Sequence, residues 1–154
     1  MKSSLILVEE LAAQLGLADL VLDENGSVQL VFDDTLVSFE FDEGAGRLLV
    51  YAALGEVPSS MRERVYGLLL RENLFRGGDG DPVFAVLPES GSVLLQTALS
   101  LTGLELARLL AVLEGLLNRA DQWTAFLKSE VDSPSGDTSG ALEFFGAGDP
   151  SRFV

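Results

Sequence analysis

Residues 35–42, Thr-Leu-Val-Ser-Phe-Glu-Phe-Asp, alternate apolar and polar side chains with a period of two. This alternation is typical of a β-strand with one buried face, and it places the valine and both phenylalanines on the same side. A Glu-Gly-Ala-Gly turn follows, and residues 47–54 return as a further strand. Together with residues 27–33, these segments predict a three-stranded antiparallel meander.

Helices flank this meander. Ser3 or Ser4 caps the first predicted helix, which ends at Gly16. Its apolar positions follow a three-four spacing: Leu5, Val8, Leu11, Ala12 and Leu15. The spacing leaves Ile6 and Leu7 outside the buried stripe.

The remainder repeats the two types of element. A capping box of Ser60 and Glu63 opens a helix over residues 60–74, and another of Thr102 and Glu105 opens a long helix that ends near Lys128. Between them, residues 82–87 and 92–100 predict a hairpin. The order α-β-β-β-α-β-β-α predicts an α+β fold, in which three helices cover one side of an antiparallel five-stranded sheet.

Residues 129–154 differ from the rest in composition. The run Ser-Pro-Ser-Gly-Asp-Thr-Ser-Gly at 133–140 has no apolar period. We expect one folded domain over residues 1–128 and a flexible, acidic, Gly/Ser-rich tail over 129–154. Its large apolar side chains, Phe144, Phe145 and Phe153, either dock on a protein surface or are incidental.

Composition excludes several kinds of chemistry. Among the 154 residues there are 24 acidic and 10 basic side chains, a net charge of −14, and neither Cys nor His. No disulfide, zinc finger, thiol nucleophile or Ser-His-Asp triad is possible. The acidic balance disfavours nucleic acids and membrane surfaces. The longest uncharged stretch, residues 90–104, is shorter than the roughly 20 residues of a membrane helix. We expect an unexported protein, and we expect it to contain no metal and no cofactor.

Local acidic motifs fit turns better than sites. Residues 79–81, Asp-Gly-Asp, lack the further ligands of a calcium loop, and the pairs 9–10, 33–34 and 42–43 favour a solvated rim over catalysis. For the arginines of the second helix, pairing with a partner subunit and simple solvation stay open. Trp123 continues the stripe of the third helix, which favours a core position.

The strands are apolar on both faces. In residues 47–54, two leucines, a valine and an alanine occupy one parity, and Leu49, Tyr51 and Ala53 occupy the other. A sheet covered on one face alone shows a polar second face. The chain therefore has more apolar surface than its helices can cover, which predicts burial against other proteins.

Several segments together resemble the Tir chaperone (CesT-like) family of type III secretion chaperones. They are the opening helix leading into residues 17–26 (Leu-Ala-Asp-Leu-Val-Leu-Asp-Glu-Asn-Gly), the meander, the Arg-bearing second helix, the hairpin, and residues 116–123 (Leu-Leu-Asn-Arg-Ala-Asp-Gln-Trp). The resemblance covers about residues 3–128 and includes no catalytic signature. It identifies the chain as similar to the class I effector chaperones.

The resemblance implies a cytoplasmic bacterial homodimer that binds the non-globular N-terminal segment of secreted effectors and keeps it recognisable to the secretion apparatus. It implies no enzymatic activity and no cofactor. From the first helix and first three strands, the candidate client-binding residues are Leu7, Leu11, Leu30, Phe32, Leu36, Val37, Leu49 and Tyr51. From the second helix and the last two strands, the candidate dimer residues are Arg62, Val65, Leu69, Phe84, Val86 and Leu95. For each of them, burial in the subunit's own core stays equally open.

Two alternatives remain. A regulatory module of the same fold would sequester another protein of the secretion system. An enzyme or small-ligand domain would have to work with Asp, Glu and Ser alone, and no spacing in the chain brings two carboxylates together for that purpose.

Overall fold

The structure is a computed structural model that describes residues 2–18 and 20–132. Its elements are α1 (Lys2–Leu15), β1 (Ser27–Phe32), β2 (Thr35–Asp42), β3 (Arg47–Glu56), a short 3₁₀ turn (Ser59–Met61), α2 (Arg62–Glu72), β4 (Val83–Val86), β5 (Ser92–Ser100) and α3 (Leu106–Asp132). This order confirms the predicted α+β fold of five strands and three helices.

The five strands form one antiparallel sheet in the order β1-β2-β3-β5-β4. The register aligns Val37 with Ala52 and Ala52 with Leu95, which continues one apolar row across three strands. The register shifts between Ala53 and Gly55, where Gly55 has φ +131°, a value that side chains other than glycine rarely adopt. We call the side of the sheet that the helices cover the inner face, and the opposite side the outer face.

The core lies between the inner face and α3. Val37, Phe39 and Phe41 are buried there, as the alternation in β2 predicted. Trp123 is also buried, and its ring centroid lies 4.8 Å from that of Phe84 on β4. The predicted core position of Trp123 is therefore confirmed, and the aromatic contact joins α3 to the edge of the sheet.

The buried face of α1 differs from the predicted stripe. Leu7 is buried, whereas Leu5 is 47% exposed. The reason is Ser4, which occupies the stripe and is buried because its backbone N–H and its hydroxyl both donate to the Glu43 carboxylate. Ser4, whose hydrogen-bond partner lies far along the chain, interrupts the apolar spacing of α1. The predicted buried face is therefore rotated by part of a turn from the observed one.

Both predicted capping boxes are wrong. Ser60 lies within the 3₁₀ turn, and α2 begins at Arg62 after Met61, which makes no side-chain cap. Helix α3 begins at Leu106, because residues 101–104 first form a turn, with Gly103 at φ +69°. In each case a 3₁₀ turn or reverse turn occupies the residues that the capping pattern assigned to the helix.

Ion pairs connect α2 to α3. Arg64 pairs with Glu130, and Arg119 lies 3.2 Å from Glu72. Both glutamates are buried, so losing either partner would leave a costly buried charge. Arg64 therefore forms its ion pair within its own subunit. The sequence had left open pairing with a partner subunit and simple solvation, and this is a third outcome.

Helix α3 continues to Asp132, four residues beyond the predicted end. The rest of the predicted tail, with Phe144, Phe145 and Phe153, lies outside the described residues. Within residues 2–18 and 20–132, no helix combines the length and apolarity that crossing a membrane requires.

Candidate protein-binding surface

Within the described residues, no helix covers the outer face of the sheet. Alternate positions of β3 and β5 place Leu49, Tyr51 and Leu94 there, and each is partly exposed. Leu36 of β2 is 45% exposed on the same face. The second apolar parity of the sequence thus forms a real surface that the described part of the chain leaves partly open to solvent.

These side chains line a shallow hollow of about 420 Å³, which we call the outer trough. Apolar side chains form most of its walls, and polar groups lie along its centre. Its lining residues are Gln29, Leu36, Ser38, Glu40, Leu49, Tyr51, Ala53, Leu87, Leu94 and Gln96. An elongated concave surface of this kind suits an extended polypeptide better than a compact ligand.

Two further hollows adjoin the outer trough. One, of about 580 Å³, shares Ser38, Glu40 and Tyr51 with it and extends to Leu20 and Val21 before β1. The other, of about 430 Å³, shares Glu40 and Leu49 and extends to the end of β2. The three hollows are neighbours, and Glu40 lines all of them.

Tyr51 reports the polarity of the trough. Burial raises the pKa of its hydroxyl above the usual 10.0, and its hydrogen bond to the negatively charged Glu40 raises the pKa further, against a lowering effect of Ser38. A partly desolvated phenol next to a carboxylate indicates that the centre of the trough already excludes some water.

The edge strand β4 is closed at its centre by a side chain. Asn73, just after α2, donates from Nδ2 to the carbonyl of Phe84 at 2.9 Å and accepts its N–H on Oδ1 at 2.7 Å. The amide thus imitates the two bonds of a neighbouring strand. Addition of another strand at this edge would require Asn73 to leave.

The opposite edge strand, β1, is closed at its beginning. The backbone N–H of Asp23 donates to the carbonyl of Ser27, and Oδ1 of Asp23 accepts the Ser27 N–H, both at 2.9 Å. In the described part of the chain, the edge of β1 is therefore open to a further strand from Gln29 onward.

A second exposed apolar group lies at the end of α2. Leu70 is 71% exposed, Leu74 is 51% exposed and Phe75 is 75% exposed. We call these three residues the α2 patch.

The predicted client-binding residues separate into two groups. Leu7, Leu11 and Val37 are buried in the subunit's core, and Leu30 and Phe32 pack partly buried against it. Leu36, Leu49 and Tyr51 come together in the outer trough. Of the two possibilities left open, own-core burial therefore applies to the first group.

The predicted dimer residues also fall mostly in the core. Val65, Leu69, Phe84 and Leu95 are buried, so they cannot touch another chain without disrupting the fold. Val86 is partly exposed. Arg62 donates to the carbonyls of Val57 and Ser90 within the subunit, which fixes its guanidinium in the chain's own turns.

The sequence reasoning missed part of the surface. Gln29, Leu87, Leu94 and Gln96 line the outer trough but were not among the predicted residues. Strand parity could have indicated these residues. The sequence did not show which strand lies beside β3, and only the order β3-β5-β4 places the hairpin of β4 and β5 there.

The acidic motifs behave as turns. Asp79 accepts the Ser100 N–H on Oδ1 at 2.8 Å, and Asp81 lies 2.6 Å from Arg76. Within the described ranges, no group of three or more acidic side chains is arranged to hold a metal ion.

Comparison with protein families gives one match: the model of the Tir chaperone protein (CesT) family matches residues 6–124. The match spans more than half of the chain and includes all five strands. A comparison with curated protein sequences gives no match.

Chains of several solved protein complexes share this fold. A chain of the HopA1–SchA chaperone–effector complex is 19% identical, with a TM-score of 0.66, and the match covers 80% of this chain and 94% of that chain. A chain of the ExsC–ExsE complex is 26% identical, with a TM-score of 0.65 and coverages of 79% and 90%. A chain of the Yersinia pestis type III secretion chaperone SycH with a fragment of YscM2 is 26% identical, with a TM-score of 0.60 and coverages of 75% and 95%.

Proposed function

The chain belongs to the Tir chaperone protein (CesT) family, and on that premise we propose that it is a type III secretion chaperone for one or more effectors. It binds the non-globular N-terminal segment of the effector in the bacterial cytoplasm and keeps that segment soluble and recognisable to the secretion apparatus. The proposed chaperone function requires binding alone, without catalysis or a cofactor.

The observation that carries this proposal is the uncovered outer face of the sheet. Its apolar side chains line the outer trough, while the inner face is covered by α3 and its neighbours. Binding an extended segment costs that segment conformational entropy, so the chaperone must offer a long apolar surface in return. A net charge of −14 keeps such a surface from causing self-association.

The test is capture of a co-expressed client. Each reading frame next to the gene is co-expressed with the tagged chaperone, and retained proteins are identified by mass spectrometry. Retention of an effector through its N-terminal segment supports the proposal, and retention of a regulatory secretion protein instead would favour a sequestering role. Failure to retain any of them would contradict both.

A paired variant locates the binding surface. Leu36→Thr combined with Leu49→Thr keeps residues suited to strands but removes apolar area from the outer trough, so we expect client affinity to fall about tenfold. Val131→Thr makes the same kind of change on an exposed part of α3 and serves as the matched control. Unchanged capture by the double variant, at an unchanged melting temperature, would exclude the outer trough as the client surface.

The homodimer belongs to the same proposal, with a second copy of the chain on the α2 patch. Residues 60–76 hold four arginines against two glutamates, the reverse of the balance in the whole chain. Two copies meeting there avoid most of the mutual repulsion that their net charge creates elsewhere. A two-fold axis through the patch would bury Leu70 and Phe75 against their equivalents.

A further inference from the structure

Glu40 lies on the outer face of the sheet, on β2. Its partners in the sheet are Ser27 on β1 and Leu49 on β3, and all three adjoining hollows include Glu40 in their lining. Among the described residues, no lysine or arginine lines any of these hollows. Arg47, on the same face of β3, lies 3.8 Å from Asp42.

The surroundings of Glu40 combine three kinds of group. Tyr51, which lines two of these hollows together with Glu40, supplies an aromatic ring and a hydroxyl. Leu49, directly opposite Glu40 across the strands, supplies an aliphatic wall. A carboxylate, a ring and an apolar wall together match a basic side chain, whose stem packs on aliphatic groups while its cation meets the ring and the carboxylate.

Resting on the proposed function, we infer that Glu40 and Tyr51 form a subsite for a basic side chain of the client, flanked by apolar residues that fill the rest of the outer trough. Arginine fits better than lysine, because the planar guanidinium stacks on an aromatic ring and pairs with a carboxylate through two hydrogen bonds. The subsite fixes the position of the client segment along the trough.

Selectivity follows from the cost of leaving Glu40 unpaired. A purely apolar segment in the trough would remove water from the carboxylate without replacing its hydrogen bonds. Such a segment would therefore bind more weakly than one that brings a cation to this point. The trough thereby distinguishes between extended segments of similar apolar content.

The inference is tested with two blocked peptides, acetyl-Ser-Leu-Val-Arg-Val-Leu-Ser-amide and the same peptide with citrulline in place of arginine. Citrulline keeps the length and planarity of the side chain, but a carbonyl oxygen replaces one guanidinium nitrogen, so it has no charge and fewer N–H donors. Each peptide is titrated into the full ¹⁵N-labelled chain, and affinity is read from backbone amide shifts of Leu36, Leu49 and Tyr51. We expect the arginine peptide to bind about fivefold more tightly, a modest factor because the site is half-exposed.

Two variants separate the subsite from general charge attraction. Glu40→Gln should remove the preference for arginine, so that the affinities of the two peptides differ by less than about twofold. Glu114→Gln removes the same charge from an exposed position on α3 and should preserve the preference.

The outcomes distinguish the inference from the proposed function. Equal binding of both peptides, or a preference that survives Glu40→Gln, overturns the basic subsite while the trough remains a client surface. A preference lost equally in Glu114→Gln also overturns it, because only overall charge would then be recognised. If neither peptide binds, the basic subsite is overturned, and the result also counts against the outer trough as the client surface.

Discussion

Thr97 is a polar residue at the most apolar part of the molecule. It lies on the inner face, paired with Val50, and is 4% exposed, and within the described residues its Oγ1 has no hydrogen-bond partner. A buried hydroxyl without a partner is destabilising, and valine has almost the same shape. We expect Thr97→Val to raise the free energy of unfolding by about 1 kcal/mol, measured by urea denaturation.

Thr124 supplies the control for this prediction. It is exposed on α3, so Thr124→Val makes the same chemical change where no hydroxyl is buried. We expect Thr124→Val to change the free energy of unfolding by less than about 0.5 kcal/mol. A loss of stability in Thr97→Val would show that the hydroxyl is hydrogen-bonded after all.

Tyr51 gives the trough a measurable pH dependence. Because burial and Glu40 raise the pKa of the hydroxyl above 10.0, the folded chain keeps this proton where the unfolded chain has lost it. The corresponding stability is complete below pH 10 and is lost as the pH rises through the folded pKa. The tyrosinate absorbance of the wild type minus that of Tyr51→Phe should have its midpoint above pH 10.

Glu40→Gln tests the cause of that shift. Removing the charge and changing the hydrogen bond should move the Tyr51 midpoint down, towards 10.0. A midpoint that does not move would mean that burial alone sets the pKa of Tyr51.

At the scale of elements, the amide of Asn73 holds α2 against β4. Replacing it by alanine leaves the N–H and the carbonyl of Phe84 without their present partner. We expect Asn73→Ala to cost about 2 kcal/mol of stability and to speed hydrogen exchange at the Phe84 amide. Asn118→Ala, at an exposed position on α3, should change neither quantity. Slow exchange retained at Phe84 in the Asn73 variant would show that α2 covers this edge without the amide.

The elements also show where sequence patterns are reliable. The strict alternation in β2 predicted the buried face of that strand, because parity alone decides which side a strand residue occupies. The stripe of α1 was misplaced because Ser4 is buried through Glu43, a residue 39 positions away. The start of α2 was misplaced because a 3₁₀ turn precedes it. Both errors depend on partners or turns that local patterns do not encode.

At the scale of the whole molecule, the α2 patch governs the proposed dimer. Leu70→Asp would place two like charges across a two-fold axis and remove two apolar contacts. We expect light scattering at micromolar concentration to give the mass of one chain, 16.4 kDa, for this variant and twice that mass for the wild type. Because Leu70 is 71% exposed, the fold itself should survive.

Ile6→Asp is the control for the dimer. Ile6 is 56% exposed on α1, so the variant adds the same charge outside the α2 patch and should remain dimeric. A wild type that scatters as a monomer would contradict the dimer directly. Dissociation of both variants would mean that total charge, not the α2 patch, controls association.

The element order, the inner face of the sheet, the absence of thiol and imidazole chemistry and the surplus of apolar surface could all be predicted from the amino-acid sequence. These properties follow from composition and from periods of two and 3.6 residues, which are local properties of the chain. The division of the apolar residues between the core and the outer trough could not be predicted in this way. That division depends on strand order and on side chains such as Asn73 and Glu43, whose partners lie far along the chain and become neighbours only when the sheet assembles.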